Sequence, residues 1–174
     1  MYKVNNAFKL IIAIAVSELA GVIGSVFTMP SIAGWYAGLV KPALNPPAWV
    51  FGPVWTVLFA LMGISLFLIW SFDFTQDKKQ HPYKLENIRM LRMRKIGIMV
   101  FFVQLILNIL WSIIFFGLHS PSGALVEIVF LWLAILATII AFYTISRPAA
   151  WLLAPYLAWV SFASYINYAV WSLN

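Results

Sequence analysis

The sequence has no cysteine and little charge. Without cysteine there is no disulfide framework, thiolate metal site, iron–sulfur cluster or cysteine nucleophile, and the redox compartment leaves no mark. Charged residues make up 9% of the 174 residues against 64% hydrophobic. A soluble domain carries about a quarter charged residues, so a water-soluble globule and a disordered chain are both excluded. No phosphate-binding glycine loop, nucleophile–base pair or paired carboxylates at usable spacing occur. What is abundant is aromatic: 17% of the chain, including nine tryptophans.

A bilayer core of roughly 30 Å takes about 20 apolar residues as helix. Five stretches qualify, at residues 8–28, 48–72, 96–117, 123–145 and 150–173. The second, third and fifth hold no Asp, Glu, Lys or Arg, while the first carries Glu18 and the fourth Glu127. The runs are continuous rather than alternating, which predicts helices and not a membrane barrel. The first is too long, and lacks a small-residue cleavage site, for a cleaved signal peptide. The expectation is an all-α integral membrane protein: one five-helix transmembrane domain over residues 1–174, with a long loop at 29–47 between the first two helices.

The polar segment 73–95 holds Lys78, Lys79, Lys84, Arg89, Arg92, Arg94 and Lys95. Numbering the membrane sides alternately places these with Lys3, Lys9 and Arg147, and leaves Lys41 alone on the other side. That asymmetry predicts a cytosolic N-terminus and an outer C-terminus. It also accounts for the net charge of +6 as topology and anionic-lipid contact, so nucleic acid is not expected as a partner. His81 and His119 then fall on opposite sides and cannot form a pair. Trp70, Trp151 and Trp171 sit near span ends, where indoles anchor at the headgroups. Ala13, Ser17, Gly21 and Ser25 recur every fourth position, a face suited to close helix approach. Pro53 and Pro155 predict kinks.

Helical rise brings several costly groups to one depth in the outer half of the bundle. Gln104, Asn108, Trp111 and Phe115 form one stripe of the third span; Trp55, Phe59 and Met62 form one of the second; Trp159, Ala163 and Ile166 one of the fifth. Each stripe also reads as ordinary interhelical packing, with Gln104 and Asn108 as hydrogen-bonding glue. Three converging stripes describe an aromatic pocket for a flat, mostly apolar ligand. Glu18 and Glu127 approach the same region, or else serve as hydrogen-bonded carboxyls between helices, Glu127 in the first turn of its own. The loop MPSIAGWYAGLVKPALNPP exceeds a tight connection and would hang over the pocket, as a cover or as an interfacial segment held by Trp35 and Tyr36.

Four segments carry a resemblance: WYAGLVKPALNPPAWVFGPVW at 35–55, QLILNILWSIIFFG at 104–117, ALVEIVFL at 124–131 and PAAWLLAPYLAWVSFASYINYAVW at 148–171. Together they resemble the tryptophan-rich sensory protein or translocator protein family, also called the peripheral-type benzodiazepine receptor family. The resemblance implies a five-helix membrane bundle, usually a homodimer, that binds protoporphyrin-type tetrapyrroles or other hydrophobic small molecules. It implies a ligand rather than a cofactor or metal. By position it places Trp35 and Tyr36 in the lid, Trp55 and Phe59 on the second-span wall, Asn108 and Trp111 on the third, and Trp159 and Ala163 on the fifth. The cholesterol pattern of animal members needs a basic residue after the tyrosine; Tyr165–Ser172 has none, so cholesterol is not an expected ligand. Roles as sensor, carrier or regulator follow, with two alternatives: light-dependent porphyrin degradation, and ligand-independent modulation of another membrane complex. Charge bias and the lack of a targeting segment point to a prokaryotic cytoplasmic membrane, although family members also occupy bacterial and mitochondrial outer membranes.

Overall fold

The computed structural model describes residues 5–72 and 84–174, with side chains from residue 88 in the second part. The expected cations Lys3, Lys78 and Lys79, and His81, lie outside the described residues. The described chain is all helical: α1 (Asn6–Ser31), α2 (Ala48–Trp70), α3 (Lys84–Ser112), α4 (Pro121–Tyr143), α5 (Arg147–Trp151) and α6 (Ala154–Leu173). Five helical segments are long and apolar enough to cross a membrane, with α5 and α6 together forming the fifth. The end of the bundle that carries residues 32–47 is called the upper end below.

The boundaries differ from expectation in three places. First, α1 does not stop at residue 28. Pro30 removes one helical donor, yet the helix runs on to Ser31 and continues as a π-helical turn over Ile32–Tyr36. Trp35 and Tyr36 therefore sit on helix, and the irregular connection shrinks to residues 39–47. Second, α3 begins at Lys84, so Arg89, Arg92, Arg94 and Lys95 ride a helix and not a loop. Its upper end is a second π-helical turn, Ile113–Gly117. Third, Pro155 does not kink a continuous span. The helix breaks after Trp151 and restarts at Ala154, with Pro155 in the first turn of α6, where its missing N–H costs nothing. Pro53 does lie inside α2.

The α1 face of small residues lies against its neighbours within the chain. Ala13, Ser17, Ala20 and Gly24 are buried. A Cβ at Gly63 of α2 would stand 2.5 Å from the Ile14 Cα, so these two backbones touch directly. Across from them α3 packs on α4 and α4 on α6, while α2 meets α5, where the Ser65 hydroxyl donates to the Ala149 carbonyl at 2.7 Å. The main core fills the lower half around Met62, Ile69, Phe101, Phe142 and Tyr156. A smaller one closes the upper end around Tyr36, Phe115, Ala124, Ile166 and Val170.

Candidate functional site: a cavity between four helices

The backbones of α2 and α6 make little contact, and aromatic side chains bridge them. The Phe51 and Trp159 rings meet edge-on at 6.1 Å, as do Trp55 and Tyr156. Between the two cores lies a cavity of about 480 Å³, walled by α1, α2, α3 and α6. Seven of the eight residues expected at the site line it: Tyr36, Trp55, Phe59, Asn108, Trp111, Trp159 and Ala163. Trp55 stacks on Phe59 at 5.5 Å and Trp111 on Phe115 at 5.1 Å, each pair one turn apart on its helix. The walls are thus layered indole and phenyl faces, rigid at low entropic cost.

Trp35 is the exception. It faces away from the cavity lining, stacked on His119 at 4.5 Å and edge-on to Phe115 at 5.5 Å. Ser31 completes this cluster: its hydroxyl donates to the Phe116 carbonyl at 2.8 Å and lies 3.2 Å from His119 Nε2. His119 itself holds φ of 51°, a left-handed conformation that turns the chain into α4. Trp35 therefore pins α1 to the α3–α4 corner, and His119 is engaged there rather than folded inward.

The polar groups on the wall are tied into a frame. Asn108 Nδ2 donates to the Tyr156 hydroxyl at 3.0 Å, linking α3 to α6. The Trp111 indole donates to Asn167 Oδ1 at 3.1 Å, and Asn167 Nδ2 donates to the Pro121 carbonyl at 2.7 Å at the start of α4. Sequence reasoning missed Asn167 and Tyr156. Asn167 was detectable as a carboxamide inside a span, one turn past Ala163; Tyr156 lies three residues before Trp159 on the same face. Phe51, Thr28, Ser112 and Phe162 also line the cavity without having been expected there.

Two stripe members and one carboxylate fall elsewhere. Gln104 is 1% exposed, off the cavity, and its amide has no partner among the described residues, so it is not the expected interhelical glue. Met62 belongs to the lower core. Glu127 also misses the cavity: it is 8% exposed with both oxygens unpartnered. Because α4 starts at Pro121 and is capped by Ser120 on Gly123 N, Glu127 lies beyond the first turn that was to satisfy it. Glu18 does line the cavity.

At the upper end of the bundle, residues 39–47 are held at three points. The Tyr36 hydroxyl donates to Asn45 Oδ1 at 2.7 Å. Lys41 Nζ donates to the carbonyls of Ala37 and Leu39 and stands 4.9 Å above the Tyr36 ring. The Asn174 carboxamide takes both main-chain groups of Val40, accepting from its N–H at 2.9 Å and donating to its carbonyl at 3.0 Å. Trp49, 75% exposed, stands on the rim where α2 begins. Trp132 has a different task, donating from α4 to Ser161 of α6 at 2.8 Å.

Comparison with known proteins finds relatives that match nearly the whole chain. The chain is 41% identical over 165 residues to the tryptophan-rich protein TspO of Chlorobaculum tepidum, covering 95% of each chain. It is 41% identical over 169 residues to the protein of that name from Archaeoglobus fulgidus, covering 97% of this chain and 99% of the other. It is 40% identical over 154 residues to the human translocator protein, covering 87% and 82%. Residues 13–172 match the profile of the TspO/MBR family. With five membrane-spanning segments and this match, the chain is an integral membrane protein of the TspO/MBR family.

Proposed function

We propose that the protein binds flat, mostly apolar ligands of the tetrapyrrole class, protoporphyrin among them, in the cavity between α1, α2, α3 and α6, and acts as a membrane sensor or regulator set by its occupancy. The observation that carries this reading is the layering of Trp55–Phe59 and Trp111–Phe115 on facing walls of a cavity of about 480 Å³. That volume lies within the roughly 300–1,000 Å³ of small-molecule sites, and aromatic walls with few polar groups suit a planar macrocycle. The names of two relatives, a translocator protein and a tryptophan-rich sensory protein, are in keeping with it. Residues 39–47, tied down through Tyr36, Lys41 and Val40, act as the cover. The bundle works as a homodimer, with its basic lower end on the cytosolic side of a prokaryotic membrane.

The test is a titration of tryptophan fluorescence with protoporphyrin IX in detergent micelles. Quenching saturates in the wild type. Replacing Trp55 and Trp159 together by alanine weakens binding about thirtyfold, as the loss of two ring contacts worth ~1 kcal/mol each requires. Replacing the exposed Trp151 and Trp171 leaves the affinity alone. Equal affinities for the two double variants would remove the cavity from the account.

A further inference from the structure

Among the described residues that line the cavity, Glu18 is the one that carries a formal charge. It lies about 20 Å below Ser31 along α1, at the lower end of the cavity and near the middle of the span. The buried contact face of α1 is made by Ala13, Ser17, Ala20 and Gly24, and Glu18 stands beside that face, half-buried, on the cavity wall with Gly21 and Val22. No ion pair or hydrogen bond to its carboxyl occurs among the described residues. A carboxyl at this depth is costly unless a partner meets it, and such groups mark ligand or ion paths by default. Glu127 offers a contrast, since its carboxyl is enclosed away from the cavity and no ligand there reaches it. At the opposite, upper end Lys41 stands over the ring of Tyr36, itself a cavity residue. The Lys41 ammonium is engaged by the Ala37 and Leu39 carbonyls and does not line the cavity, so the charge on the cavity wall is the acid at its lower end.

We propose that Glu18 determines ligand specificity: the cavity takes a flat apolar molecule with a basic or N–H-donating nitrogen on the edge that enters first. In either protonation state the carboxyl offers an acceptor oxygen to such a nitrogen, and the ionised form adds attraction to an ammonium. This rests on the binding reading above and names the chemistry that the site prefers.

Two probes with one macrocycle test it: protoporphyrin IX, and the same molecule with both propionates converted to aminoethyl amides. Each is titrated by tryptophan quenching against the wild type and against Glu18→Gln in non-ionic detergent. The wild type holds the diamine about tenfold tighter than the dicarboxylate, the size of one charge-assisted hydrogen bond. Glu18→Gln removes most of that preference by weakening the diamine, and moves protoporphyrin IX by less than about twofold. The wild-type ratio needs no variant and stands even if Glu18→Gln folds poorly. Equal affinity of the wild type for both probes, or a parallel shift of both on substitution, overturns the role of Glu18 and leaves the binding reading intact. If neither probe quenches the wild type, the binding reading falls and this inference with it.

Discussion

Asn108 and Tyr156 show how single side chains hold the cavity open. Both are buried, and the hydrogen bond between them fixes α3 against α6 at the height where the walls diverge. Asn108→Leu leaves the tyrosine hydroxyl buried without a partner, which costs about 1–3 kcal/mol. Adding Tyr156→Phe removes the orphan and restores most of the loss. Thermal unfolding of the two single variants and the double variant in detergent measures this; a double variant as weak as the sum of the singles contradicts the pairing. At this scale the sequence was informative in a particular way. Asn108, Trp111, Trp55 and Trp159 were legible because polar and aromatic groups in a span are expensive enough to need a purpose. Trp35 was not, because its distance from the cavity depends on the stack with His119, whose left-handed turn no spacing rule announces. Gln104 and Glu127 were misplaced for a related reason: a helical stripe gives direction, but a few tens of degrees of rotation decide whether a side chain meets the cavity or the core.

Among the elements, α1 and α2 meet backbone to backbone, and Gly63 is what lets them approach. Gly63→Ala drives a methyl into the α1 main chain, which has no rotamer to yield, so overpacking costs about 1–3 kcal/mol and lowers the unfolding midpoint. Gly34→Ala is the control, since nothing lies near its Cβ position and the midpoint should hold; equal effects would contradict the direct backbone contact. Residues 39–47, the proposed cover, are held mainly by polar bonds. Asn174→Ala removes both bonds to Val40 and speeds protoporphyrin dissociation about three- to tenfold by stopped-flow fluorescence, given ~1 kcal/mol per exposed bond pair. An unchanged dissociation rate would mean that residues 39–47 do not gate the cavity. Span number and order were legible from hydropathy alone, because an apolar run of this length has one stable form in lipid. The ends were less so. Pro30 and the polar start of α3 looked like boundaries, but helix ends in a bundle are decided by tertiary partners: Ser31 with Phe116 and His119 above, and the α3–α4 contact below.

For the whole molecule, five apolar segments leave two cores with a gap between them, and the gap is walled by rings rather than filled. Helix association in lipid gains little from burial as such, so the small-residue contacts of α1 with α2 and the hydrogen-bonded frame of Asn108, Tyr156, Trp111 and Asn167 carry the assembly. The nine tryptophans divide accordingly. Trp70, Trp151 and Trp171 are exposed near helix ends, Trp132 and Trp35 pin helices together, and Trp49, Trp55, Trp111 and Trp159 surround the cavity. Photolabelling tests the central claim most directly: irradiate the membrane-embedded protein with a diazirine-bearing protoporphyrin amide and map the adducts by peptide mass spectrometry. Adducts are expected on residues 18–29, 48–59, 108–116 and 159–167, all lost with excess protoporphyrin IX. Adducts confined to lipid-facing positions such as Val126, Phe130 and Tyr168, and indifferent to competitor, would contradict it.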